Sequence, residues 1–321
     1  MSALVVPMAI PKKYITSLLE SEILNGDTWR SLMEKHIKSL LKIHIAVFLF
    51  GITGLFGKFL NMPPQYIVLG RVFFASISIG IYLLLSGSSI KLASLQDYIV
   101  VIAMGVLLAV HWTSFFKSVQ VSTVAIALLT FSSYPIFVTF IEPLMFSEKL
   151  KKIDIIFAFV MFIGVILIVP EFDMDNDLTV GVLWGMFACL TFSLMSLLNR
   201  KLAANYSGSV ITFYEQATAS IVLLPILLFY KPLMTTLDWG LIVLLGVVFT
   251  GLAHSLFIGG MKDVRAQTAG VIAGLESFYG IIFAVIILNE IPSIREALGG
   301  LIILSTALVS TLMSSRQESS N

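Results

Sequence analysis

Ten apolar stretches follow one another along the chain, and few charged residues fall inside them. A helix needs about 20 apolar residues to cross ~30 Å of hydrocarbon. Lipid offers the backbone no hydrogen-bond partner, so spanning segments of this length are helices. The pattern therefore predicts an all-α membrane protein with ten transmembrane helices and short loops. The predicted spans, numbered one to ten, are 43–60, 66–85, 97–116, 122–146, 153–169, 180–198, 210–229, 239–260, 267–289 and 295–313.

Composition agrees with a protein that lives in the lipid bilayer. The chain is 58% hydrophobic and 12% charged, whereas a soluble globular domain carries about 25% charged residues. Its net charge of +1 gives no electrostatic reason to expect a nucleic-acid partner. Cys189 is the one cysteine, so a disulfide within the chain is excluded.

The segment before the first span differs in composition from the rest. Residues 1–42 are predicted to form a cytoplasmic N-terminal extension, and residues 314–321 a cytoplasmic tail. Met33 opens the sequence MEKHIKSLLKIH, which is typical of the start of a bacterial inner-membrane protein. Two interpretations of residues 1–32 stay open, an upstream extension without a role and a loose cytoplasmic or interfacial segment.

Basic residues predict the orientation of the spans. Loops on the cytoplasmic side of membrane proteins carry an excess of Lys and Arg. With the N-terminus inside, nine basic residues fall on cytoplasmic loops and the tail, against four on outer loops. The inner set is Lys91, Lys149, Lys151, Lys152, Arg200, Lys201, Lys262, Arg265 and Arg316, and the outer set is Lys58, Lys117, Lys231 and Arg295. Both termini are therefore expected in the cytoplasm.

The spans divide into two sets of five that repeat at an offset of 142 to 144 residues. The predicted repeats are residues 43–170 and 178–313. Matching positions are Arg71 with Glu215, Lys58 with Lys201, Tyr134 with Glu276, Pro135 with Ser277, and Glu148 with Glu290. Because five is odd, the second set starts from the opposite side of the membrane. The repeats are therefore expected to be inverted, a common construction of secondary transporters.

Two stretches resemble a known family. HWTSFFKSVQVSTVAIALLTFSSYPIFVTFIEPLMFSEKL (111–150) and LAHSLFIGGMKDVRAQTAGVIAGLESFYGIIFAVIILNEIPS (252–293) resemble the repeat ends of EamA-like members of the drug/metabolite transporter superfamily. The turns at 147–150 and 289–292 are similar to the family's GE-x-L turn. The resemblance implies ten helices, two inverted repeats, a central cavity and transport of small metabolites without ATP. Ser277 stands where the family has proline after Leu-Glu, which leaves a helix break there open.

Four charged residues fall well inside spans: Arg71, Glu142, Glu215 and Glu276. A charge at the centre of a membrane costs at least ~2.5–3.5 kcal/mol, so such groups face protein or a water-filled cavity. Arg71, Glu215 and Glu142 are interpreted as structural or coupling charges, with Arg71 and Glu215 able to balance each other. Glu276, among Gly270, Gly274 and Gly280, is the candidate cavity residue.

Uncharged polar residues extend this candidate site. Pro135 removes a helical hydrogen bond from the carbonyl of Phe131, and irregular backbone at membrane depth is tolerated where it lines a cavity or is buried in protein. Packing roles remain the alternative for each residue. The predicted substrate-binding residues are Glu276, His111, Trp112, Tyr134, Ser133, His254 and Tyr214, in a cavity between spans three, four and nine.

The sequence lacks the motifs of several kinds of catalytic or metal-binding site. The sequence contains no G-x-x-x-x-G-K-[ST] phosphate loop, no zinc-binding spacing and no G-x-S-x-G nucleophile elbow. Asp173, Asp175 and Asp177 are interpreted as a solvated acidic loop. No catalytic residue, metal or cofactor is therefore expected.

The predicted function is secondary active transport of a small metabolite, an amino acid or a drug-like solute, with export across the cytoplasmic membrane by alternating access. Protons are the candidate coupling ion, and a homodimer is left open. The rival within the same class is uptake of a nutrient such as choline or a sugar. The alternatives of another class are an intramembrane enzyme or a channel.

The orientation can be tested by labelling intact cells. Cysteines replace Asp175 and Lys151, one at a time, in a Cys189→Ala background, and an impermeant thiol reagent is added. We expect labelling at position 175 alone, because the acidic loop is predicted outside and the basic loop inside. The Cys189→Ala protein without a new cysteine is the control. Labelling at 151 but not at 175 would overturn the orientation.

Overall fold

Helices make up nearly all of the described chain. The structure, a computed structural model, describes residues 26–146, 150–169, 173–203, 205–229, 232–261, 264 and 266–318, and no strand occurs in these ranges. The α-helices are α1 Gly26–Thr53, α2 Phe56–Phe59, α3 Pro64–Leu85, α4 Leu95–Val121, α5 Val124–Phe131, α6 Pro135–Phe146, α7 Lys152–Ile168, α8 Asp177–Ala203, α9 Gly208–Leu223, α10 Thr236–Gly246, α11 Ala253–Gly260, α12 Ala266–Ala273, α13 Leu275–Phe283 and α14 Ile294–Glu318. A 3₁₀ turn covers Leu224–Leu228, and π-helical turns cover Val247–Leu252 and Ala284–Leu288.

Eight of the described helical segments are long and apolar enough to cross a membrane. They are Glu34–Phe59, Pro64–Leu85, Leu95–Val121, Val124–Phe146, Asp177–Ala203, Gly208–Leu228, Thr236–Gly260 and Ile294–Met313. The other two predicted spans correspond to α7, which has 17 residues, and to the interrupted segment α12–α13. The all-α membrane architecture is thus confirmed for the described residues, and the count of ten crossings stays a prediction.

The first helix begins earlier than the first predicted span. α1 starts at Gly26 and continues through Met33 to Thr53, so the predicted domain limit at residue 42 does not coincide with a helix end. Several predicted loop features lie outside the described residues. They are residues 1–25, the turn residues Ser147, Glu148 and Lys149, the start of the acidic loop at 170–172, and the basic residues Lys231, Lys262 and Arg265.

Helices of the first half of the chain pack against helices of the second half. α4 runs along α8, α3 along α9, α1 along α11 and α13, and α7 along α14. The largest apolar core lies among α3, α4, α8 and α9, and includes Phe116, Val72 and Ala219. Large apolar side chains cover the outer surface, with Leu144 84% exposed and Phe229 86% exposed. An apolar exterior of this extent suits contact with lipid.

The helices of spans four and nine are both interrupted, and the two interruptions touch. Between α5 and α6, the carbonyl of Phe131 accepts from the Tyr134 N–H at 3.1 Å, which replaces the helical partner that Pro135 lacks. The second segment breaks at Gly274 although no proline is present there. The hydroxyls of Ser132 and Ser277 lie 2.6 Å apart, so the serine at the family's proline position links the two breaks.

A polar network joins the ends of three helical segments. The Glu290 carboxylate accepts from the Val124 N–H at 2.8 Å and thereby caps the start of α5. Lys58 Nζ lies 3.5 Å from the other oxygen of Glu290 and donates to the Ser122 carbonyl at 2.6 Å. Asn289 takes a left-handed conformation with φ 55° just before Glu290. The turn that resembled the family pattern therefore works here as a helix cap.

The close contact between α1 and α13 can be tested with Gly51→Ala. A Cβ at Gly51 would lie 2.8 Å from Tyr279 Cβ and 3.0 Å from the Glu276 carbonyl oxygen. Overpacking of this kind costs about 1–3 kcal/mol, so we expect a lower melting temperature in detergent. Gly240→Ala is the control, because that position has open space and alanine favours a helix by ~1 kcal/mol. Equal melting temperatures for the two variants would contradict the packing.

Candidate functional site

Arg71 lies at the centre of the polar interior. Its side chain projects from α3 and is fully buried, with 0% exposure. Nε donates a hydrogen bond to Thr250 Oγ1 at 2.8 Å. The guanidinium carbon lies 3.4 Å from the ring centroid of Trp112 on α4, a cation–π contact that fixes the plane of the guanidinium. Arg71 therefore connects a helix of the first half with one of the second.

A local irregularity of the second half presents Thr250 to Arg71. The Thr250 hydroxyl donates to the Leu245 carbonyl, five residues earlier, at 2.8 Å, as the π-helical turn Val247–Leu252 allows. The hydroxyl oxygen at the same time accepts from Arg71 Nε. Gly246 lets α3 approach closely, because a Cβ there would lie 2.8 Å from the Arg71 carbonyl oxygen. Sequence reasoning missed Thr250, and its one signal was a threonine between Gly246 and Gly251 in an apolar span.

An aromatic cluster extends from Trp112 on α4 toward α8. His111 is buried, and its Nδ1 lies 2.9 Å from the Ala188 carbonyl oxygen. Its ring centroid is 4.9 Å from that of Trp112 and 5.2 Å from that of Phe192. Tyr134 joins the same cluster, at 5.1 Å from Phe192. The structure thus brings three predicted residues together, and adds Phe192, which the sequence reasoning missed.

Glu276 and His254 complete the surroundings of Arg71 from the second half. Both interact electrostatically with the guanidinium. His254 Nδ1 is 2.9 Å from the carbonyl oxygen of Thr250, and its ring centroid is 4.9 Å from that of Phe50. The ion pairs found within 4.0 Å among the described residues do not include Arg71. Arg71 and Glu276 therefore do not form a close ion pair.

Two of the predicted substrate-binding residues lie elsewhere. Ser133 donates to the Thr130 carbonyl at 2.6 Å and lies 3.8 Å from the sulfur of Cys189, so it contacts α8. The Tyr214 hydroxyl donates to the Ile90 carbonyl at 2.9 Å. Because Ile90 belongs to the loop between α3 and α4, Tyr214 lies at an end of the helix bundle.

The two remaining intramembrane carboxylates also lie apart from Arg71. Glu142 forms an ion pair with Arg200. Glu215 is 5% exposed, and its Oε1 has no hydrogen-bond partner in the described part of the chain. The expected balance between Arg71 and Glu215 is not realised as an ion pair within 4.0 Å among those residues. Among the described carboxylates, it is Glu276 that interacts electrostatically with Arg71.

A pocket of about 390 Å³ opens between α3 and the start of α10, and its walls are almost wholly apolar. Tyr66, Phe74 and Trp239 are among its lining residues. None of the predicted site residues lines it. Within the described ranges, no group of three or more His, Cys, Asp or Glu side chains is placed to hold a metal ion.

Comparisons with known proteins find a matching family, related sequences and a related structure. A family model described as the EamA-like transporter family matches residues 37–169 and 179–312. The uncharacterized transporter YxxF of Bacillus subtilis is 25% identical over 81% of this chain and 85% of its own length. The pseudopaline exporter CntI of Pseudomonas aeruginosa is 26% identical over 72% of this chain and 82% of its own. One solved crystal structure covers 88% of this chain and 99% of its own, with a TM-score of 0.62 and 18% identity.

The support that Thr250 gives to Arg71 can be measured with Thr250→Val. Valine keeps the shape but removes the acceptor of the Arg71 Nε hydrogen bond and the donor to Leu245. Breaking a hydrogen bond to a buried charged group costs about 1.5–3 kcal/mol, so we expect a melting temperature several degrees lower. Thr311→Val is the matched control, because Thr311 donates only within its own helix, to Ala307. A Thr250→Val protein as stable as the control would contradict this role.

Proposed function

The chain belongs to the EamA-like transporter family, a premise from which we propose that it is a secondary active transporter of a small metabolite working by alternating access. The expected membership of the drug/metabolite transporter superfamily is confirmed, and the chain is a multi-pass membrane protein. One observation carries the proposal. The buried polar cluster is shared between the matched halves, with Arg71 and Trp112 from the first and Thr250 and Glu276 from the second.

The proposal includes ten crossings arranged as two inverted repeats. If the repeats are related by a two-fold axis in the membrane plane, each contact between halves should occur twice with the roles exchanged. The packing fits this expectation. α1 against α11 pairs spans one and eight, and α4 against α8 pairs spans three and six, which is the exchanged contact. α3 against α9 and α7 against α14 each pair equivalent spans.

A cluster shared by both halves suits alternating access. When one half moves relative to the other, contacts across their boundary change while contacts within each half persist. The Arg71–Thr250 hydrogen bond and the Arg71–Glu276 interaction both cross that boundary. A solute or proton that binds there can therefore be exposed first to one side of the membrane and then to the other.

We place the protein in the cytoplasmic membrane with both termini inside and the solute moving outward. The orientation rests on the basic residues of the predicted inner loops, and the direction is supported by a relative named as an exporter. Uptake is the rival direction. Binding and release account for the whole activity, without covalent chemistry or cofactor.

Glu276 is the proposed proton carrier, because a carboxylate near the membrane centre can exchange a proton when its charged partner is displaced. Glu276→Gln should abolish proton-driven accumulation in vesicles while leaving exchange of labelled for unlabelled solute intact. Asp154→Asn, a carboxylate in the first turn of α7, is the control. If both activities fall together in a stable protein, Glu276 binds solute instead. Normal gradient-driven transport would remove both roles.

A transporter can be told apart from the alternative classes in the same vesicles. Unlabelled solute inside should drive transient uptake of labelled solute against its gradient, because a carrier exchanges one molecule for another. A channel would let the labelled solute equilibrate without this overshoot, and an enzyme would convert it. Vesicles that show neither counterflow nor gradient-driven uptake with any solute would overturn the proposed transport function.

A further inference from the structure

The apolar pocket beside α3 lies on the other side of that helix from the buried polar cluster. Leu69 and Phe73 line the pocket, and each is two residues from Arg71 on the same helix. Two residues correspond to about 200° of rotation around an α-helix. The pocket and the Arg71 side chain therefore occupy opposite faces of α3, and the pocket is separate from the candidate solute site.

The mouth of the pocket is continuous with the lipid-facing exterior. Phe73 is 44% exposed, Leu224 51% and Trp239 52%, and all three line the pocket. Met62 and Ile242 also line it but are only 7% and 2% exposed, so they form its deeper wall. An apolar pocket that opens on this exterior is reached by hydrocarbon chains of the bilayer.

The depth of the pocket matches one leaflet of the membrane. Leu69 and Phe73 lie about 8–14 Å along α3 from its first residue, Pro64. The hydrocarbon core is ~30 Å thick, so each leaflet contributes about half of that. The pocket therefore lies at the level of the chains of the leaflet near the loop between α9 and α10, which the proposed orientation places outside.

The space is built into the fold by two contacts. A Cβ at Gly70 would overlap Ile242 Cγ2, so the close contact between α3 and α10 requires glycine there and leaves no side chain to fill the pocket. The Tyr66 hydroxyl donates to the Ile226 carbonyl at 3.0 Å, which ties the start of α3 to the 3₁₀ turn. Both contacts fix the spacing of the pocket walls.

The equivalent place in the other repeat is filled by the chain itself. At the repeat offset of 144 residues, Gly70 pairs with Tyr214. Trp239 and Tyr98 also correspond, because each is the fourth residue after a helix N-cap, that of α10 and that of α4. The rings of Tyr98 and Tyr214 contact each other, with centroids 5.7 Å apart. The pocket lacks the second ring of this pair, and an apolar group from outside the chain can take its place.

From this arrangement we infer that the pocket binds one hydrocarbon chain of a membrane phospholipid. Its volume of about 390 Å³ is at the lower end of the range for ligand pockets, about 300–1,000 Å³, which suits a single chain. The chain enters beside Phe73, Leu224 and Trp239 and packs against Met62 and Ile242. Van der Waals contact stabilises it there, because an empty apolar space forfeits the dispersion attraction of the atoms that line it.

Lipid retention tests the inference without any transport measurement. The full chain is purified in detergent, washed, and its bound phospholipid is measured by mass spectrometry. Phosphatidylethanolamine and phosphatidylglycerol, each with short or long chains, are then added back. We expect a single phospholipid to stay bound or to rebind, with preference for long chains and no preference for a headgroup, because the walls are almost wholly apolar. The melting temperature should rise with the bound lipid.

A pocket-filling substitution connects the lipid to this place. Leu227 lines the pocket, so Leu227→Trp should weaken lipid binding about tenfold or more without lowering the melting temperature in lipid-free detergent. Leu228→Trp is the matched control, because the next residue of the same 3₁₀ turn is 84% exposed and does not line the pocket. Leu224→Trp, at the mouth, is a second filling variant that should act like Leu227→Trp.

Three results would overturn the inference. The first is a washed protein that neither retains nor rebinds phospholipid. The second is binding that follows the headgroup and ignores the length of the chains. The third is retention of lipid by folded Leu227→Trp and Leu224→Trp proteins equal to that of the Leu228→Trp control.

Discussion

The arrangement of polar groups inside this protein depends on the burial of one guanidinium, that of Arg71. A charged arginine inside the membrane is tolerated only where the protein solvates it, and Arg71 receives that solvation from three sources. Thr250 accepts its Nε–H, the face of Trp112 covers its plane, and Glu276 interacts with it electrostatically without forming a close ion pair. Because these groups come from separate helices of both halves, the energetic requirement of a single side chain holds the halves in register.

Irregular backbone makes this solvation geometrically feasible. A regular helix directs its backbone carbonyls along its own axis, where they are already hydrogen-bonded within the helix. The π-helical turn around Thr250, the break before Pro135 and the break at Gly274 interrupt that regularity at the depth of the cluster. Ser132 and Ser277 connect two of the breaks. The irregular segments thus lie where both halves meet, as expected of backbone that lines a transport site.

Two further polar networks lie away from this cluster and stabilise helix ends. Glu290 caps α5 and pairs with Lys58, while Glu142 pairs with Arg200. Each consists of an ion pair within 4.0 Å, unlike the cluster around Arg71. Close ion pairs hold neighbouring helices together, and a separated pair leaves donors free for a solute. The difference in spacing distinguishes the structural charges of this chain from its candidate binding charges.

The sequence alone determined that this protein lies in a lipid bilayer and that its fold is all-helical. Long apolar stretches can satisfy their backbone in lipid only as helices, and the quoted repeat ends resembled the family that the comparison confirmed. It also pointed to His111, Trp112, Tyr134 and Glu276, because polar groups at membrane depth are costly unless they face protein or a cavity. Only the tertiary structure decided which of them meet. Arg71 matched Glu215 in the repeat register but interacts with Glu276, and Thr250 entered through a π-helical turn that apolar periodicity does not reveal. Contacts between helices depend on rotation, crossing and local breaks, and these are set by packing against residues distant in the chain.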